Sequence, residues 1–465
     1  MESNRIENRE YQNYIIDHIF TSVNSNRNVI LELDCGMGKR VIIYRLIAEA
    51  FLKEKILIFL QNQSSLQETE DYLNNRYGGI EDLGVIHSKH SSIQRKYILE
   101  NSRIILTLPL SFMNTIKKYP NIVSSFKIII INEIDTIIRR VSYKTVLRNP
   151  WNHIISRFSH CKFIGMSGTL RDYHTISSDK KVFKRKELST LLDFFPNTDI
   201  IYLEDLNKTD INNYITHTEI YLHPVNDDSI KEIIDFLSFE IKKIKDNIKK
   251  DHSSELQNDE MFLNDLQFLD IEPEIIKKLN HLLILRKYVY SMPVSSFWKH
   301  LLRFGFSPEQ LPPYPQKTGK ENYTIKVAQR FKKVVILCSY LSSIYSLKKR
   351  FLSIGYNVYV LEGKTTIKAE PLINFKNAKE KSVLLISSVG ERDLDIPQTD
   401  VLIVYDLVNS PKTVYQKMKR SRGGKVFILF YNNTSEQNKV RRVISDIVVK
   451  YPWSIIYYGE KNVNS

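Results

Sequence analysis

Short apolar runs alternate with amphipathic stretches over residues 1–205 of the chain. The runs, rich in Ile, Leu and Phe, are NVILELD, KILIFLQ, RIILTL, FKIIIIN, KFIGMSG and DIIYLED. Continuous apolar runs are typical of strands buried on both faces, whereas the stretches between them, such as RVIIYRLIAEAFLKE, have a helical period. The pattern predicts an α/β domain with a parallel sheet covered by helices.

The same alternation returns over residues 326–465, with strand-like runs KKVVILCS, NVYVLEG, SVLLISS, DVLIVYD and GKVFILFY. Between the two regions, at residues 206–325, DSIKEIIDFLSFEIKKIKDNIKKDH has an apolar period of about 3.6 residues, the period of a helix. The Pro-rich stretch SPEQLPPYPQKTGKENY is typical of a linker. The sequence therefore predicts two α/β domains, at 1–205 and 326–465, joined by a helical insert and linker at 206–325.

Composition narrows the class of protein. The chain has 465 residues, enough for two or three domains, and a formal net charge of +15. This charge suits a polyanionic partner such as nucleic acid, although a solvated basic surface without a partner has the same signature. The three cysteines are far apart, and neither a signal segment nor a membrane-length apolar run is evident. We therefore expect no metal site and no membrane, and a cytoplasmic or nucleoid-associated location.

The stretch LELDCGMGKRV lies at the first strand-to-helix junction. Gly36 and Gly38 would let the backbone approach phosphate oxygens, and Lys39 would reach the β- and γ-phosphates. A phosphate loop continues with Ser or Thr, whose hydroxyl binds Mg²⁺, but this chain has Arg40. The alternative interpretation is an ordinary Gly-rich turn.

A second candidate site is NEID, which follows a run of isoleucines. In phosphate-loop ATPases an Asp at this strand end holds Mg²⁺, and a nearby group orients the attacking water. Glu133 is present, but Asn132 is uncharged and is a poor Mg²⁺ ligand. Arg40 and Asn132 thus each replace a residue that would bind the same Mg²⁺ ion.

The order of these motifs resembles that of the superfamily 2 helicases, and within them the Hef/FANCM group. The matching stretches are REYQ at residues 9–12, LDCGMGKR, FLQNQSSLQE, LTLPLSF, NEID, MSGTL at 166–170, ISSVGERDLDIPQTDVLIVYD at 386–406 and SPKTVYQKMKRSRGGKVFILF at 410–430. The resemblance covers nearly the whole chain. It implies two RecA-like domains with a Hef-like insert that grips branched DNA. It also implies that Gln12 reads adenine and that Asp395 faces the ribose.

The chain departs from this family at its arginine motif. Arg420 matches the first arginine finger by position, but Arg422 is one residue short of the second, and Lys417 replaces an Arg. Together with Arg40 and Asn132, these changes predict a nucleotide site that does not hydrolyse ATP. Glu133 and Arg420 would then be vestigial catalytic residues, and ATP and Mg²⁺ would be cofactors only in an active motor.

By position in the family, candidate contacts to a nucleic-acid backbone are Thr107, Ser339 and the segment from Ser387 to Val389. The alternative is that these hydroxyls cap helices and turns. The insert adds Lys242, Lys245 and Lys249, beside Lys243 and Lys250 on the same predicted helix. These lysines could contact phosphates or only form a solvated helix face. In LRKYVY (285–290) and FWKHLLRF (297–304) aromatic residues lie among basic ones, which could grip a duplex or a splayed strand through phosphate contacts and stacking. Phe297, Trp298 and Phe304 favour a core role over stacking.

These interpretations lead to a hypothesis of an inactivated helicase-like protein that binds forked or branched DNA without ATP hydrolysis. The resemblance adds a nuclease of XPF type as its partner, since this chain lacks the nuclease signature. Three alternatives remain: an active ATP-dependent DNA helicase or translocase, a protein-interaction scaffold, and a binder of duplex RNA.

Overall fold

The computed structural model describes residues 7–34, 36–77, 79–138, 150–178, 181–251, 271–307, 309, 312–315, 317–363, 369–387, 399–407, 410–419 and 424–460. The chain divides into two compact units. The first comprises Met1–Ile176 and Phe183–Ile215, and the second comprises Ser177–Val182 and Thr216–Ser465. Among the described residues, no helix is both long enough and apolar enough to cross a membrane.

The first unit is built on a sheet of seven parallel strands in the order β3-β4-β2-β5-β6-β1-β9. Its strands are β1 (Asn28–Glu32), β2 (Ile56–Phe59), β3 (Leu83–Ile86), β4 (Ile104–Thr107), β5 (Ile128–Asn132), β6 (Lys162–Ser167) and β9 (Thr198–Ile201). A separate pair is formed by β7 (Tyr173–Ser178) and β8 (Lys181–Lys186). The isoleucines of β5 are buried because helices cover both faces of a parallel sheet.

Helices follow most strands of this sheet. They are α1 (Glu10–Asn24), α2 (Lys39–Arg45), α3 (Gln63–Asn75), α4 (Ser92–Asn101), α5 (Pro109–Ile116), α6 (Pro150–Arg157) and α7 (Glu187–Phe194). A π-helical turn, Leu46–Ala50, continues α2, and single 3₁₀ turns occupy Pro120–Ser125, Ile134–Ile137, Leu203–Lys208 and Asp210–Asn213. The core between helices and sheet includes Phe59, Phe112, Phe126 and Phe158.

The second unit contains another sheet of seven parallel strands, in the order β12-β13-β11-β14-β15-β10-β16. Its strands are β10 (Thr218–Val225), β11 (Lys333–Cys338), β12 (Asn357–Leu361), β13 (Ser382–Ser387), β14 (Val401–Val404), β15 (Lys425–Tyr431) and β16 (Ile455–Glu460). The helices that accompany it are α11 (Gly319–Ala328), α12 (Leu341–Ser353), α13 (Ala369–Asn377), α14 (Pro411–Lys419) and α15 (Ser435–Lys450).

The insert contributes three helices to the second unit: α8 (Asp228–Asp251), α9 (Pro273–Val289) and α10 (Val294–Arg303). Their apolar faces form a core of their own, in which Ile234, Leu282 and Phe297 are buried. Val225 of β10 and Tyr431 of β15 belong to the same core, so the insert packs against the second sheet rather than standing apart from it.

The predicted fold, two RecA-like parallel sheets with a helical insert, is confirmed. Residues 206–325, expected as insert and linker only, also contain β10, which pairs with β15 and β16 inside the second sheet. Of the residues expected to be core, Phe297 is fully buried, whereas Trp298 and Phe304 are partly buried against the insert core.

Candidate functional site

The candidate phosphate loop lies between β1 and α2, at the carboxyl end of the first sheet. Gly36 and Gly38 have φ angles of +82° and +78°, which residues with a Cβ rarely adopt. Gly38 directly precedes α2, and a Cβ at this position would lie 2.9 Å from Gln12 Nε2. The two glycines are thus required by the backbone, and the amide groups at the start of α2 have the arrangement that binds anions.

Gln12 lies beside this loop, on α1. Its side chain is buried, and its Nε2 donates to the Tyr11 hydroxyl at 3.0 Å. The Tyr11 hydroxyl in turn donates to the carbonyl of Met37 within the loop, also at 3.0 Å. Gln12 Oε1 is buried and accepts no hydrogen bond from the residues that the structure describes. An acceptor in this state fits a ligand that donates an N–H group, as the adenine amine does.

The sheet brings Lys39 and Glu133 together. Lys39 Nζ donates to Glu133 Oε1 at 2.8 Å, and both side chains are mostly buried. Glu133 directly follows β5 and precedes the 3₁₀ turn Ile134–Ile137. Its φ of +61° is uncommon for a residue other than glycine. Strands β5, β6 and β1 are neighbours, so the loops after them meet at one edge, where α/β proteins bind ligands.

Arg40 does not extend toward Glu133. Its guanidinium forms an ion pair with Glu68 of α3, the last residue of the motif FLQNQSSLQE. This pair joins the start of α2 to the helix that follows β2. The position where phosphate loops place a hydroxyl ligand is therefore occupied by a cation whose partner is another helix.

The second carboxylate of NEID is also engaged. Asp135 is fully buried and accepts the Ser167 hydroxyl at 2.9 Å. The same Ser167 oxygen accepts the backbone N–H of Thr169 at 3.2 Å, which ties NEID to MSGTL. Asn132 Oδ1 is buried and has no hydrogen-bond partner among the described residues. Within those residues, no cluster of His, Cys, Asp and Glu is grouped to hold a metal ion.

The residues predicted to contact a nucleic-acid backbone differ in how far they are buried. Thr107 is fully buried, and its hydroxyl donates to the carbonyl of Ile86 at 3.1 Å. Ser387 ends β13 and is also buried. Ser339 follows β11, where its backbone N–H donates to both carboxylate oxygens of Asp406, at 2.8 and 3.0 Å. Among these three, Ser339 alone is partly exposed, and Asp406 holds its backbone in place.

Three of the sequence-predicted positions, Asp395, Arg420 and the segment beyond Ser387 to Val389, lie outside the described residues. Their predicted roles stay predictions.

The insert lysines lie on α8. Lys242 is exposed, and Lys245 and Lys249 are partly exposed. Their spacing of three and four residues puts them on one side of the helix, whereas Lys243 and Lys250 share another side. Three of the five lysines are therefore arranged as a stripe.

An aromatic strip on the second unit combines residues of LRKYVY and FWKHLLRF with Tyr340 and His281, which lie outside these two stretches. We define it as Tyr340, Tyr288, His300, Phe304 and His281. The rings of Tyr288 and Tyr340 meet edge to face, with their centroids 5.4 Å apart, and the ring centroids of Tyr288 and His300 are 4.5 Å apart. The ring of His281 stacks on that of Phe304, with centroids 4.3 Å apart and an interplanar angle of 9°. The ring centroids of Phe304 and His300 are 6.2 Å apart.

The strip begins next to Ser339 and runs onto the insert. Lys287 and Lys299, both exposed, are adjacent in sequence to Tyr288 and His300, and exposed Arg303 lies near His300. Burial lowers the pKa of His300, and the nearby Arg303 lowers it further. The interleaved aromatic and basic residues of LRKYVY and FWKHLLRF were the signal in the sequence. What the sequence lacked was the contact of Tyr288 with Tyr340, because the two residues belong to different sequence regions.

Two family models match the chain. The model described as "Type III restriction enzyme, res subunit" matches residues 5–172, and the "Helicase conserved C-terminal domain" matches residues 319–424. Both helicase domains of superfamily 2 are present in this chain. The motif order found in the sequence is thereby confirmed as a helicase signature.

Curated relatives of this helicase-like chain include the ATP-dependent DNA helicase MPH1 of Saccharomyces cerevisiae, 40% identical over 80 residues. That match covers 17% of this chain and 8% of the relative. The putative ATP-dependent DNA helicase fml2 of Schizosaccharomyces pombe is 27% identical over 132 residues, which is 27% of this chain and 17% of the relative. The matched regions thus span a small part of these relatives.

Among solved structures, the Pyrococcus furiosus Hef helicase domain has the same fold, with a TM-score of 0.60 at 13% identity. The superposition covers 94% of this chain and 98% of the Hef domain. Saccharomyces cerevisiae Dbp5 bound to RNA and ADP BeF₃ gives a TM-score of 0.53 at 13% identity, covering 97% of this chain and 90% of Dbp5.

Proposed function

We propose that this helicase-like chain binds forked or branched DNA and does so without hydrolysing ATP. The relatives are named as DNA helicases, and the chain itself has a formal net charge of +15. An excess of positive charge favours DNA binding through phosphates.

The absence of hydrolysis is supported by the pairing of Arg40 with Glu68. Phosphoryl transfer depends on Mg²⁺ to neutralise charge that develops on the transferred group. In this chain the hydroxyl ligand is replaced by Arg40, and the strand-end aspartate is replaced by Asn132. The Glu133 carboxylate, the candidate for orienting water, is engaged by Lys39.

DNA binding is supported by the aromatic strip. Bases stack on aromatic faces, and basic residues beside those faces contact phosphates. The strip starts at Tyr340, directly after Ser339, and ends on α9 and α10 of the insert. A single strand that leaves a duplex offers both unstacked bases and phosphates, which is the chemistry that the strip and the basic residues Lys287, Lys299 and Arg303 recognise.

The test measures hydrolysis and binding on the same fork. ATP turnover by the full chain is followed with and without forked DNA, and binding of the labelled fork is followed by anisotropy over a range of salt. We expect turnover at background and binding that weakens steeply with salt. Turnover that Lys39→Ala abolishes would instead show an active helicase or translocase. A folded chain without fork affinity would favour a protein-interaction scaffold, and a preference for duplex RNA of the same sequence would favour an RNA ligand.

We also propose that the chain assists a separate nuclease of XPF type. This proposal rests on the resemblance to the Hef group, by analogy of fold. Its test is fork cleavage by such a nuclease with and without the chain, with a charge-reversed variant of α8 as control. An unchanged cleavage rate with the unaltered chain would contradict it.

A further inference from the structure

The residues around the phosphate loop do not fit Mg²⁺. This ion takes hard oxygen ligands in near-octahedral geometry, and phosphate-loop proteins supply a hydroxyl after the lysine and a carboxylate at the strand end. Arg40 has only N–H donors and cannot ligate a cation. Asn132 offers one uncharged amide oxygen, which is buried at the end of β5.

The two carboxylates of NEID do not replace these ligands, and Asp34, directly before the loop, is buried and engaged in interactions of its own. Glu133 Oε1 accepts Lys39 Nζ at 2.8 Å, and a metal ion there would have to displace a cation. Asp135 is fully buried and holds the Ser167 hydroxyl at 2.9 Å, which serves the packing of β6. The geometry therefore disagrees with the metal that the fold family implies.

The two substitutions act in the same electrostatic direction. A neutral hydroxyl becomes a guanidinium at Arg40, and a carboxylate becomes an amide at Asn132. Each change adds one positive charge relative to the usual motifs, and together they equal the charge of one Mg²⁺ ion. In the unliganded chain the Arg40 guanidinium pairs with Glu68 at the start of α2, and this carboxylate offsets its charge. A polyphosphate that draws Arg40 away from Glu68, as it draws Lys39 away from Glu133, would meet both cations where an active enzyme supplies a metal.

We propose that this phosphate loop binds a nucleoside triphosphate or diphosphate as the metal-free anion. Lys39 leaves Glu133 for the phosphates, the N–H groups at the start of α2 surround them, and Gln12 Oε1 accepts the base amine. This inference rests on the proposed absence of hydrolysis, since a metal-free site lacks the ion that phosphoryl transfer uses.

The experiment titrates the full chain with a fluorescent ATP analogue, in excess EDTA and in excess Mg²⁺. We expect the affinity in EDTA to equal or exceed the affinity in Mg²⁺. The variant Arg40→Thr with Asn132→Asp restores the usual ligands, and we expect its affinity to rise at least about tenfold, or ~1.4 kcal/mol, when Mg²⁺ is added. Lys39→Ala is the control for the site and should lose binding in both buffers.

Circular dichroism checks that each variant is folded. If the double variant unfolds, the single variant Asn132→Asp, which keeps the Arg40–Glu68 pair, serves to test whether Mg²⁺ raises the nucleotide affinity. Affinity of the unaltered chain that needs Mg²⁺, or a folded chain that binds no nucleotide in either buffer, would overturn the inference. Fork binding and turnover are measured separately. Turnover in Mg²⁺ would contradict the proposed function, whereas Mg²⁺-dependent binding without turnover would contradict the metal-free site alone.

Discussion

Lys320 Nζ lies 2.6 Å from Glu436 Oε1 in the interior of the second unit, where both side chains are almost completely inaccessible to solvent. Lys320 also donates to the carbonyl of Tyr290, at the end of α9, at 2.9 Å. The second carboxylate oxygen of Glu436 accepts the backbone N–H of Tyr431 in β15 at 2.8 Å. One buried ion pair thus joins the end of α9 in the insert to the second sheet.

Lys320→Met should lower the free energy of unfolding by about 3–5 kcal/mol, because it leaves a buried carboxylate without its partner. Urea unfolding followed by circular dichroism measures the change. Arg441, which pairs with Glu460 at the surface, is the matched control, and Arg441→Gln should change the free energy of unfolding far less than Lys320→Met does. The double change Lys320→Met with Glu436→Leu should recover most of the loss. Equal effects of the buried and surface variants would contradict this account.

The lysine stripe of α8 predicts a salt dependence. Replacing Lys242, Lys245 and Lys249 with Gln should weaken fork binding and make the log–log salt slope shallower by about 2 to 3, since each phosphate contact contributes about 0.9. The control replaces Lys243 and Lys250, which lie on another side of the same helix. A shallower slope of similar size in the control would mean that net charge, and not the stripe, determines binding.

The aromatic strip predicts a stacking contribution. Tyr288→Leu keeps an apolar side chain in the contact with Tyr340 but removes the ring, and affinity for a fork with a single-stranded arm should fall by about 1–3 kcal/mol. Phe239 is 65% exposed on α8 and lies outside the strip, so Phe239→Leu is the control and should bind as the unaltered chain does. Competition with fully duplex DNA measures the difference. Unchanged affinity of Tyr288→Leu would remove the strip from the proposed binding surface.

His300 predicts a dependence of stability on pH. Burial and Arg303 lower its pKa from 6.5, so the folded chain favours the neutral ring. When the pH falls below the unfolded pKa, the unfolded state binds a proton that the folded state does not, and this contribution to stability is lost. The urea midpoint should therefore fall on acidification from neutral pH toward about pH 5, and His300→Gln should reduce that fall. An identical pH profile in His300→Gln would contradict the assignment.

Gly38 predicts a local steric effect at the nucleotide loop. Gly38→Ala should lower the free energy of unfolding by about 1–2 kcal/mol, because alanine rarely adopts the left-handed backbone conformation. It should also displace Gln12, whose Nε2 would lie 2.9 Å from the new Cβ. Gly305 has a similar φ of +82°, but nothing lies within 4 Å of its Cβ position. Gly305→Ala should show the backbone cost without loss of nucleotide binding. Nucleotide titration beside thermal unfolding separates the two effects.

Sequence patterns found most strands of the two large sheets, including the edge strands β9 and β12, but missed β3, β10 and β16 and the separate pair β7 and β8. The apolar runs of β5 and β11 are continuous because helices cover both faces of these strands. β3 and β16 are edge strands, and β16 exposes Ile456, Tyr457 and Tyr458. β10 carries Glu219 and His223 among its apolar residues. A criterion based on apolar runs does not detect strands that are partly solvated or interrupted by polar residues.

Within the candidate site, the sequence by itself determined the residue types: the glycines and Lys39 of the loop, and the replacements Arg40 and Asn132 that remove the magnesium ligands. These follow from local chemistry, since a guanidinium cannot bind Mg²⁺ in any fold. Only the tertiary structure decided the partners. It paired Arg40 with Glu68, Lys39 with Glu133, Lys320 with Glu436, and Tyr288 with Tyr340. These residues are distant along the chain, and their proximity results from sheet order and helix packing, which local periodicity does not encode.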